Sequence, residues 1–240
     1  MSPSSKQSAS DGGSSRKKSS KTQKTAVTRK KVAEVTIPRE TLVRRVNDAR
    51  RASMVVLGVR TLGGGFITLL LSYAGLYLLS IFLPLLESKW ISGPLTVILG
   101  LLMIIVARFA SSGRLPDVAA KLSFLKERAF VWVDPFRDEP PHFGPLWVDS
   151  LLWAPTQVLK GVVPFRTIYE TGQADAEAAA DVARRMVEEG EIDYAGGLDP
   201  ASLEAKGVRL LLLLRLARLV VDGDQIKGRV SGLGQSALFG

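Results

Sequence analysis

The chain of 240 residues contains no cysteine and a single histidine. The absence of cysteine excludes disulfides, thiolate metal sites and cysteine nucleophiles. Zinc sites built from several histidines are excluded too, and a histidine-dependent catalytic triad would need His142, in a Pro-Pro-His-Phe segment. An exposed loop histidine is the simpler interpretation. The sequence therefore predicts no catalytic residue, no metal site and no cofactor, and we expect a protein that is not an enzyme.

Acidic residues are scarce only at the beginning of the chain. Residues 1–60 contain 15 lysines and arginines against 4 acidic residues, whereas the remaining 180 residues contain 17 against 19. The net charge of +9 thus belongs to the N-terminal part. Residues 1–32 also have few aliphatic side chains, so we expect a disordered basic arm. No apolar stretch of ~7–15 residues follows the charges within the first thirty residues, which excludes a secretory signal there.

The basic arm contains two clusters, Arg16–Lys18 and Arg29–Lys31. A solubilising tail that helps to set membrane orientation is the favoured interpretation. Contact with anionic lipid is the first alternative, because each basic residue near such a surface contributes on the order of 1 kcal/mol. Binding of nucleic acid without sequence preference and a role as an organellar transit peptide stay open.

Residues 33–53 mix apolar and charged side chains at short intervals. Pro38 suits the first turn of a helix, and Thr36 is a candidate N-cap before it. The pattern predicts an amphipathic basic helix that lies on a membrane surface and leads into an apolar segment. The apolar positions are Val35, Ile37, Leu42, Val43 and Val46.

Charged residues are absent from two long stretches, Thr61–Leu86 with 26 residues and Trp90–Ala107 with 18. At ~1.5 Å per residue they form helices of roughly 39 and 27 Å, against a bilayer core of ~30 Å. We therefore predict a transmembrane hairpin over residues 54–108, with spans at about 57–86 and 90–107.

Small residues recur along one face of each predicted span. We expect these faces to meet inside a tight hairpin, with contact to a second copy or another protein as the alternative. Neither span contains an ionisable residue in its apolar core, so a transporter or channel is disfavoured. The small residues are Gly64, Thr68, Ser72 and Gly75 in the first span, and Gly93, Thr96 and Gly100 in the second.

Basic residues flank the hairpin on one side only. Arg50, Arg51 and Arg60 precede or open the first span, and Arg108 and Arg114 follow the second, whereas the turn at residues 87–89 is neutral overall. The positive-inside rule places both termini in the cytoplasm, or its organellar equivalent, and the turn outside. The sequence therefore predicts a multi-pass protein of a bacterial inner membrane or an organellar membrane.

Residues 109–169 are predicted to be a membrane-associated amphipathic region. After Pro116, apolar residues follow steps of four, three, four and three, which predicts one helical face. The segment 144–169 is apolar but interrupted by charges and by Pro155. We expect it to lie in the interface or against the hairpin, rather than to form a third crossing or a re-entrant loop. The first face consists of Val118, Leu122, Leu125, Ala129 and Trp132.

Residues 170–240 are predicted to form a small folded module. An apolar stripe ends before Gly190, and Asp199-Pro200 is typical of a helix start. Val208–Val221 predicts a buried central helix, and the segment 220–230 a short hairpin with a turn at Asp222-Gly223. The stripe consists of Ala179, Val182, Ala183, Met186 and Val187.

This order of helix, short helix, apolar helix and hairpin resembles that of winged-helix domains, and the resemblance implies DNA binding. The charge argues against it, because residues 170–240 contain 8 basic and 12 acidic side chains. A winged-helix-like module that contacts protein instead of DNA fits this charge better. The carboxylates Glu188, Glu189, Glu191 and Asp193 are interpreted as solvated, and Asp222-Gly-Asp224 is too short for a calcium loop.

The sequence thus predicts a mainly α fold: a two-helix transmembrane hairpin, a disordered basic arm and a small helical cytoplasmic module, winged-helix-like in pattern. We expect a non-enzymatic, membrane-anchored scaffold or adaptor whose partners are the lipid bilayer and a protein bound at the module. The alternative is a membrane-tethered DNA-binding or regulatory protein that acts through the arm or a degenerate winged helix.

Overall fold

The computed structural model describes residues 37–83, 89–111, 122–125, 130, 132, 133, 136, 146–194 and 196–240. The basic arm, Thr36, His142 and most of the predicted hairpin turn lie outside these residues. The described chain is mainly helical and includes a small antiparallel sheet. Residues 35–240 form one compact unit.

The first helix, α1, runs without interruption from Arg39 to Ser80 and is about 63 Å long at ~1.5 Å per residue. Pro38 is the N-cap residue and does not belong to the first turn, where the sequence pattern predicts it, and its carbonyl oxygen accepts hydrogen bonds from the amides of Thr41 and Leu42 at 3.0 and 3.2 Å. The predicted amphipathic helix and the first predicted span are therefore parts of one helix. A rigid connection joins them, with no break at residue 53.

Two further long helices pack beside α1: α2 (Lys89–Ser111) and α3 (Leu146–Glu170). Proline stands inside both, at Pro94 in α2 and at Pro155 and Pro164 in α3. A proline removes one backbone hydrogen bond from a helix, so the packing against α1 has to compensate for that loss. The expectation that 144–169 packs against the hairpin agrees with this arrangement.

The C-terminal part ends in a short helical segment, Gly232–Gly234 and Gln235–Phe239, and before it contains two longer helices and three short strands. The longer helices and the strands are α4 (Gln173–Glu188), β1 (Ile192–Asp193), α5 (Leu203–Leu213), β2 (Ala217–Asp222) and β3 (Gln225–Val230). The sheet order is β1-β3-β2, and both pairs are antiparallel. We call residues 173–240 the module.

The central helix of the module is shorter than the sequence predicts. Val208–Val221 is not one helix, because α5 ends at Leu213 and the chain continues as β2 from Ala217. The short helix predicted after Asp199-Pro200 is not a separate element, because α5 begins at Leu203 and continues through Val208. Ser202 is the N-cap in place of Asp199, and its Oγ accepts a hydrogen bond from the amide of Ala205 at 3.1 Å.

The predicted hairpin is present as β2 and β3, with Asp222 opposite Gln225. The two-residue loop places Gly223 first, with φ of 61°. Turns of this kind twist in the same sense as the strands and need glycine or asparagine at a positive φ. The helix stop at Gly190 is confirmed as well, because this residue follows α4 with φ of 82°.

The main core joins the module to the beginning of α1. Leu42, Val43 and Val46 are buried there with Ile168 of α3 and the inner faces of α4 and α5. The apolar face that we predicted for a membrane surface is thus covered by protein. The physical reason is that the apolar face of a short amphipathic helix can be buried in a protein core as readily as in a bilayer interface.

The region between α2 and α3 also contributes to protein cores. Leu122, Phe124 and Leu125 are buried in the main core, and Ser123–Leu125 forms a single 3₁₀ turn. Trp132 instead packs with Ala107 and Leu159 in a second, smaller cluster. The predicted single helical face is wrong for these residues, since its described members divide between two clusters.

Candidate functional site: the apolar stem and its connection to the module

The feature that distinguishes this molecule is a helical pair with large apolar side chains on its outside. We call α2 and residues 54–80 of α1 the stem. Leu62 is 76% exposed and Phe66 is 65% exposed. Both stem helices are long and apolar enough to cross a membrane. Only 17% of the most apolar window of α1 and 11% of that of α2 is buried, which differs from the buried core helix of a water-soluble protein.

The inner face of α1 consists of small and hydroxylated residues. Gly64, Thr68 and Ser72 are buried and stand four residues apart. Each hydroxyl donates to a carbonyl one turn earlier, Thr68 to Gly64 at 2.7 Å and Ser72 to Thr68 at 2.9 Å. Such bonds leave no polar group that requires water, and the short side chains allow close approach of a second helix.

Helices α1 and α3 approach each other closely. A Cβ atom on Gly64 would lie 2.9 Å from the backbone nitrogen of Val158 and 3.0 Å from the carbonyl oxygen of Ala154. On the other helix, a Cβ atom on Gly161 would collide with Thr61 Oγ1 and lie 2.8 Å from the carbonyl oxygen of Leu57. Each helix therefore contributes one glycine to the contact, and the two helices run antiparallel.

The sequence predicts that the small-residue faces of α1 and α2 meet, and the structure shows this contact near the middle of the two helices. Gly100 of α2 lies against α1, where a Cβ atom on this glycine would be 3.3 Å from the side chain of Leu69 and 3.5 Å from Ser72 Oγ. Gly75 and Gly93 have open space around them instead. The small-residue face of α1 is therefore divided between two partners, with α3 at its beginning and α2 further along.

Polar contacts hold the beginning of α1 against the module. Arg39 donates to both carboxylate oxygens of Asp181 at 2.7 and 2.8 Å. The guanidinium keeps the pKa of Asp181 below its usual range, chiefly through this hydrogen bond. Arg45 donates to the carbonyl oxygen of Leu238 at 2.5 Å. The helix that enters the stem is therefore fixed to both ends of the module.

Several of the carboxylates considered as a site form ion pairs within the module. Glu188 pairs with Arg184 at 2.7 Å and Glu191 with Lys227 at 3.9 Å. Asp222 also pairs with Lys227, at 3.0 Å. Within the described part of the chain, no group of three or more His, Cys, Asp or Glu side chains is arranged to hold a metal ion.

Tyr194 is a residue of the module that no sequence motif indicates. Its ring is buried, packs edge-on to Phe124 at 6.1 Å between centroids, and lies against Gly228. Its hydroxyl has no hydrogen-bond partner among the described residues. Burial raises the pKa of this phenol, so the group stays protonated and neutral. It is a packing residue of the module core.

Helix α5, which a winged-helix resemblance would assign to a DNA groove, is largely buried. Val208 and Leu210–Leu213 lie in the core, and the outward positions are Leu203, Lys206 and Arg209. Leu203 is 56% exposed and lines a shallow groove between α4 and α5. The same groove contains charged side chains of both signs, Arg39, Glu177, Asp181, Arg185 and Glu204.

Comparison with protein-family models, with curated proteins and with solved structures finds no match to this chain. The chemistry of the stem and module is therefore the basis for any assignment of function.

Proposed function

We propose that this chain is a membrane-anchored scaffold in which the stem crosses a lipid bilayer twice and the module binds a protein on the cytoplasmic side. The observation that carries the proposal is the outward-facing apolar surface on two helices of sufficient length. One of them, α1, begins in the core of the module. In this arrangement one continuous helix joins an apolar anchor to a folded module, so that the anchor would hold the module at the membrane surface.

The energetics favour lipid around the stem. Large apolar side chains are exposed along both helices, and monomers in water rarely expose apolar patches beyond a few hundred Å². Each such side chain gains roughly 1.5–3 kcal/mol when it is fully removed from water. On α1 and α2 these include Val59, Leu62, Phe66, Tyr73, Tyr77, Ile98, Leu101, Leu102, Ile105 and Phe109.

The absence of cysteine makes the topology directly testable. Single cysteines at Ser88, in the predicted turn, and at Ser236, on the module, provide unique labelling sites. In intact cells whose outer membrane has been made permeable, a membrane-impermeant maleimide should label Ser88→Cys and should label Ser236→Cys only after the inner membrane is opened. Labelling of both sites before lysis, or of Ser236→Cys alone, contradicts the proposed topology.

The groove around Leu203 is the proposed protein-binding surface. An exposed leucine surrounded by charged residues of both signs is typical of an interface centre with a polar rim. The core leucines of α5 are covered by the module itself, so they do not supply this surface. A partner would therefore recognise the groove without any unfolding of the module.

The corresponding experiment compares two leucines that are equally exposed. Leu203 and Leu233 are both 56% exposed, but only Leu203 lines the groove. We expect a protein to co-purify in fixed stoichiometry with the intact chain in mild detergent. That protein should be lost from Leu203→Glu and retained by Leu233→Glu. Equal retention or equal loss in both variants contradicts a partner at this groove.

The membrane-tethered DNA-binding hypothesis depends on the basic arm, since the module is acidic and α5 is mostly buried. Filter binding of the detergent-solubilised chain to DNA at low and high salt distinguishes the two proposals. Salt-sensitive affinity that survives deletion of residues 1–31 would favour DNA binding through the module. Affinity that disappears with the arm would assign it to non-specific phosphate contact.

A further inference from the structure

Two tyrosines of α1 place hydroxyl groups on the outside of the stem. Tyr73 is 56% exposed and Tyr77 is 65% exposed. Among the described residues, neither phenolic hydroxyl has a hydrogen-bond partner. The buried hydroxyls of the same helix differ, because Thr68 and Ser72 donate to carbonyl oxygens one turn earlier. A tyrosine hydroxyl stands too far from its own backbone to form such a bond.

The position of these hydroxyls along the stem makes the lack of partners unfavourable. Tyr73 lies at the middle of the charge-free segment Thr61–Leu86, twelve residues from its beginning and thirteen from its end. At ~1.5 Å per residue it is about 18 Å from the nearer end. Lipid tails offer no hydrogen-bond partner, and a hydroxyl surrounded by apolar groups without one raises the free energy. A second protein surface in the membrane would supply the missing partners.

The tyrosines belong to an exposed face of α1 with the spacing of a coiled-coil seam. From Phe66 the exposed members follow steps of four, three and four residues, and Val59 stands seven residues before Phe66. This is the 3.5-residue period that keeps one side of a helix against a partner helix. At about 100° per residue, the seam lies opposite Gly64 and Ser72, where α3 and α2 pack. We call it the tyrosine face, and its members are Val59, Phe66, Leu70, Tyr73 and Tyr77.

We propose that two copies of this chain associate in the membrane through the tyrosine face. Both copies have the same orientation in the bilayer, so their α1 helices run parallel about a twofold axis, and residues near that axis meet their own counterparts. A tyrosine hydroxyl both donates and accepts a hydrogen bond, so the same residue on a second copy is a suitable partner. The inference rests on the proposed crossing of the bilayer by the stem.

The size of the face is compatible with a dimer. Phe66, Tyr73 and Tyr77 are 56–65% exposed. An aromatic side chain has roughly 150–250 Å² to bury, so the three rings offer about 280–460 Å² per copy. A standard interface buries about 800 Å² per partner, of which the rings supply roughly half, and Val59 and Leu70 add to it. The small-residue face of α1 does not compete, because α3 and α2 already cover it.

The first test identifies the face by cross-linking, since the chain has no cysteine of its own. Leu70 and Leu71 are neighbours at one depth and are 51% and 43% exposed, but only Leu70 belongs to the tyrosine face. In native membranes, an oxidant should convert the full-length Leu70→Cys chain to a covalent dimer of twice the chain mass and leave Leu71→Cys mainly monomeric. Equal cross-linking at both positions, or none at Leu70→Cys, overturns the proposal. A product of any other mass assigns the face to a different protein and overturns self-association as well.

The second test removes only the two hydroxyls. Tyr73→Phe combined with Tyr77→Phe keeps both rings, and we expect the dissociation constant of the dimer to rise about three- to tenfold. Förster transfer between donor- and acceptor-labelled Ser236→Cys copies, followed as the protein is diluted in phosphatidylcholine vesicles, measures this constant. Tyr169→Phe is the matched control, because it removes an exposed hydroxyl of α3 outside the face and should leave the constant unchanged. An equal constant in the double variant and the control overturns the proposed contact.

The outcomes for self-association and for membrane crossing are distinguishable. If Leu70→Cys reacts with a membrane-impermeant maleimide in closed vesicles, the stem does not lie in the bilayer and the crossing itself is wrong. If Leu70→Cys is protected from the maleimide but forms no covalent dimer, the crossing stands and the self-association is wrong.

Discussion

The module and the stem use the same residue type in opposite ways. In α5, Leu210, Leu211 and Leu212 are at most 1% exposed, whereas Leu62 in the stem is 76% exposed. These three leucines of α5 are removed from water by their own chain. Those of the stem depend on what surrounds the protein. The comparison shows that apolar content alone does not define a core, because the same residue type is buried in one region and exposed in the other.

Glycines at positive φ occur only in the module among the described residues, whereas glycines at close helix contacts occur in both regions, since Gly207 of α5 meets the backbone of α4. In the module, Gly190 and Gly223 have φ of 82° and 61° with open space around them, so their role is conformational. In the stem and α3, Gly64 and Gly161 lie in helices where a side chain would meet the facing helix. Their role is to permit contact between backbones.

The largest effect is expected from two mutations that test the contrast in leucine burial. Leu211→Ala should lower the free energy of unfolding of the module by about 2–5 kcal/mol, because it leaves a cavity in a closed core. Leu62→Ala should change it by less than about 0.5 kcal/mol in detergent, since that side chain has no protein around most of its surface. Denaturant unfolding of the full-length chain measures both, and equal losses would contradict the comparison.

The next largest effect is expected for the glycine contact between the stem and α3. Gly64→Leu should separate α3 from α1 or cost about 1–3 kcal/mol, because backbone atoms of Ala154 and Val158 occupy the space. Gly63→Leu is the matched control, since it has nothing within 4 Å. Spin labels at Val59→Cys and Val162→Cys report the separation. An unchanged distance and unchanged stability in Gly64→Leu would show that the contact is adaptable.

A smaller effect tests the conformational role of glycine in the module. Gly190→Ala should lower stability by about 1–2 kcal/mol, because an alanine is strained at positive φ even where space is open. Gly196→Ala, in a turn with open space and no positive φ, should be close to neutral. Thermal unfolding followed by circular dichroism compares the two, and identical midpoints would exclude the proposed role.

The smallest effect concerns the Arg39–Asp181 pair, which joins the two regions. The lowered pKa of Asp181 means that its stabilising contribution is present above the unfolded pKa of about 3.9 and is lost as the pH falls through the folded value. Both side chains are about half exposed, so solvent screens the pair and its contribution to stability is small. Asp181→Asn should lower stability at pH 7 and match the wild type in strong acid.

The control for that measurement is Asp224→Asn, in the turn between β2 and β3. Its stability curve should keep the acid-dependent loss that Asp181→Asn lacks. If both variants follow the wild type at every pH, the contact between Arg39 and Asp181 contributes nothing to stability.

Features that depend on short-range pattern were predictable. The apolar stripe of α4 with its stop at Gly190, and the β2–β3 turn at Gly223, follow from residue spacing and from conformations that glycine favours. The end of α5 at Leu213 was not predictable, because an unbroken run of apolar residues is equally compatible with a buried helix and with a buried strand. The exposed leucine of the proposed binding groove, Leu203, gave no sequence signal.

Residue order alone establishes that two long charge-free segments exist, that the basic excess lies before them, and that a small module follows. Length, charge and hydropathy are properties of single segments and need no partner. The packing of the folded chain establishes that α1 continues unbroken into the module core, that Gly64 faces α3, and that Ala107 of α2 packs with Leu159 of α3. Periodicity indicates that a face is covered, but the identity of what covers it depends on contacts between residues distant in sequence.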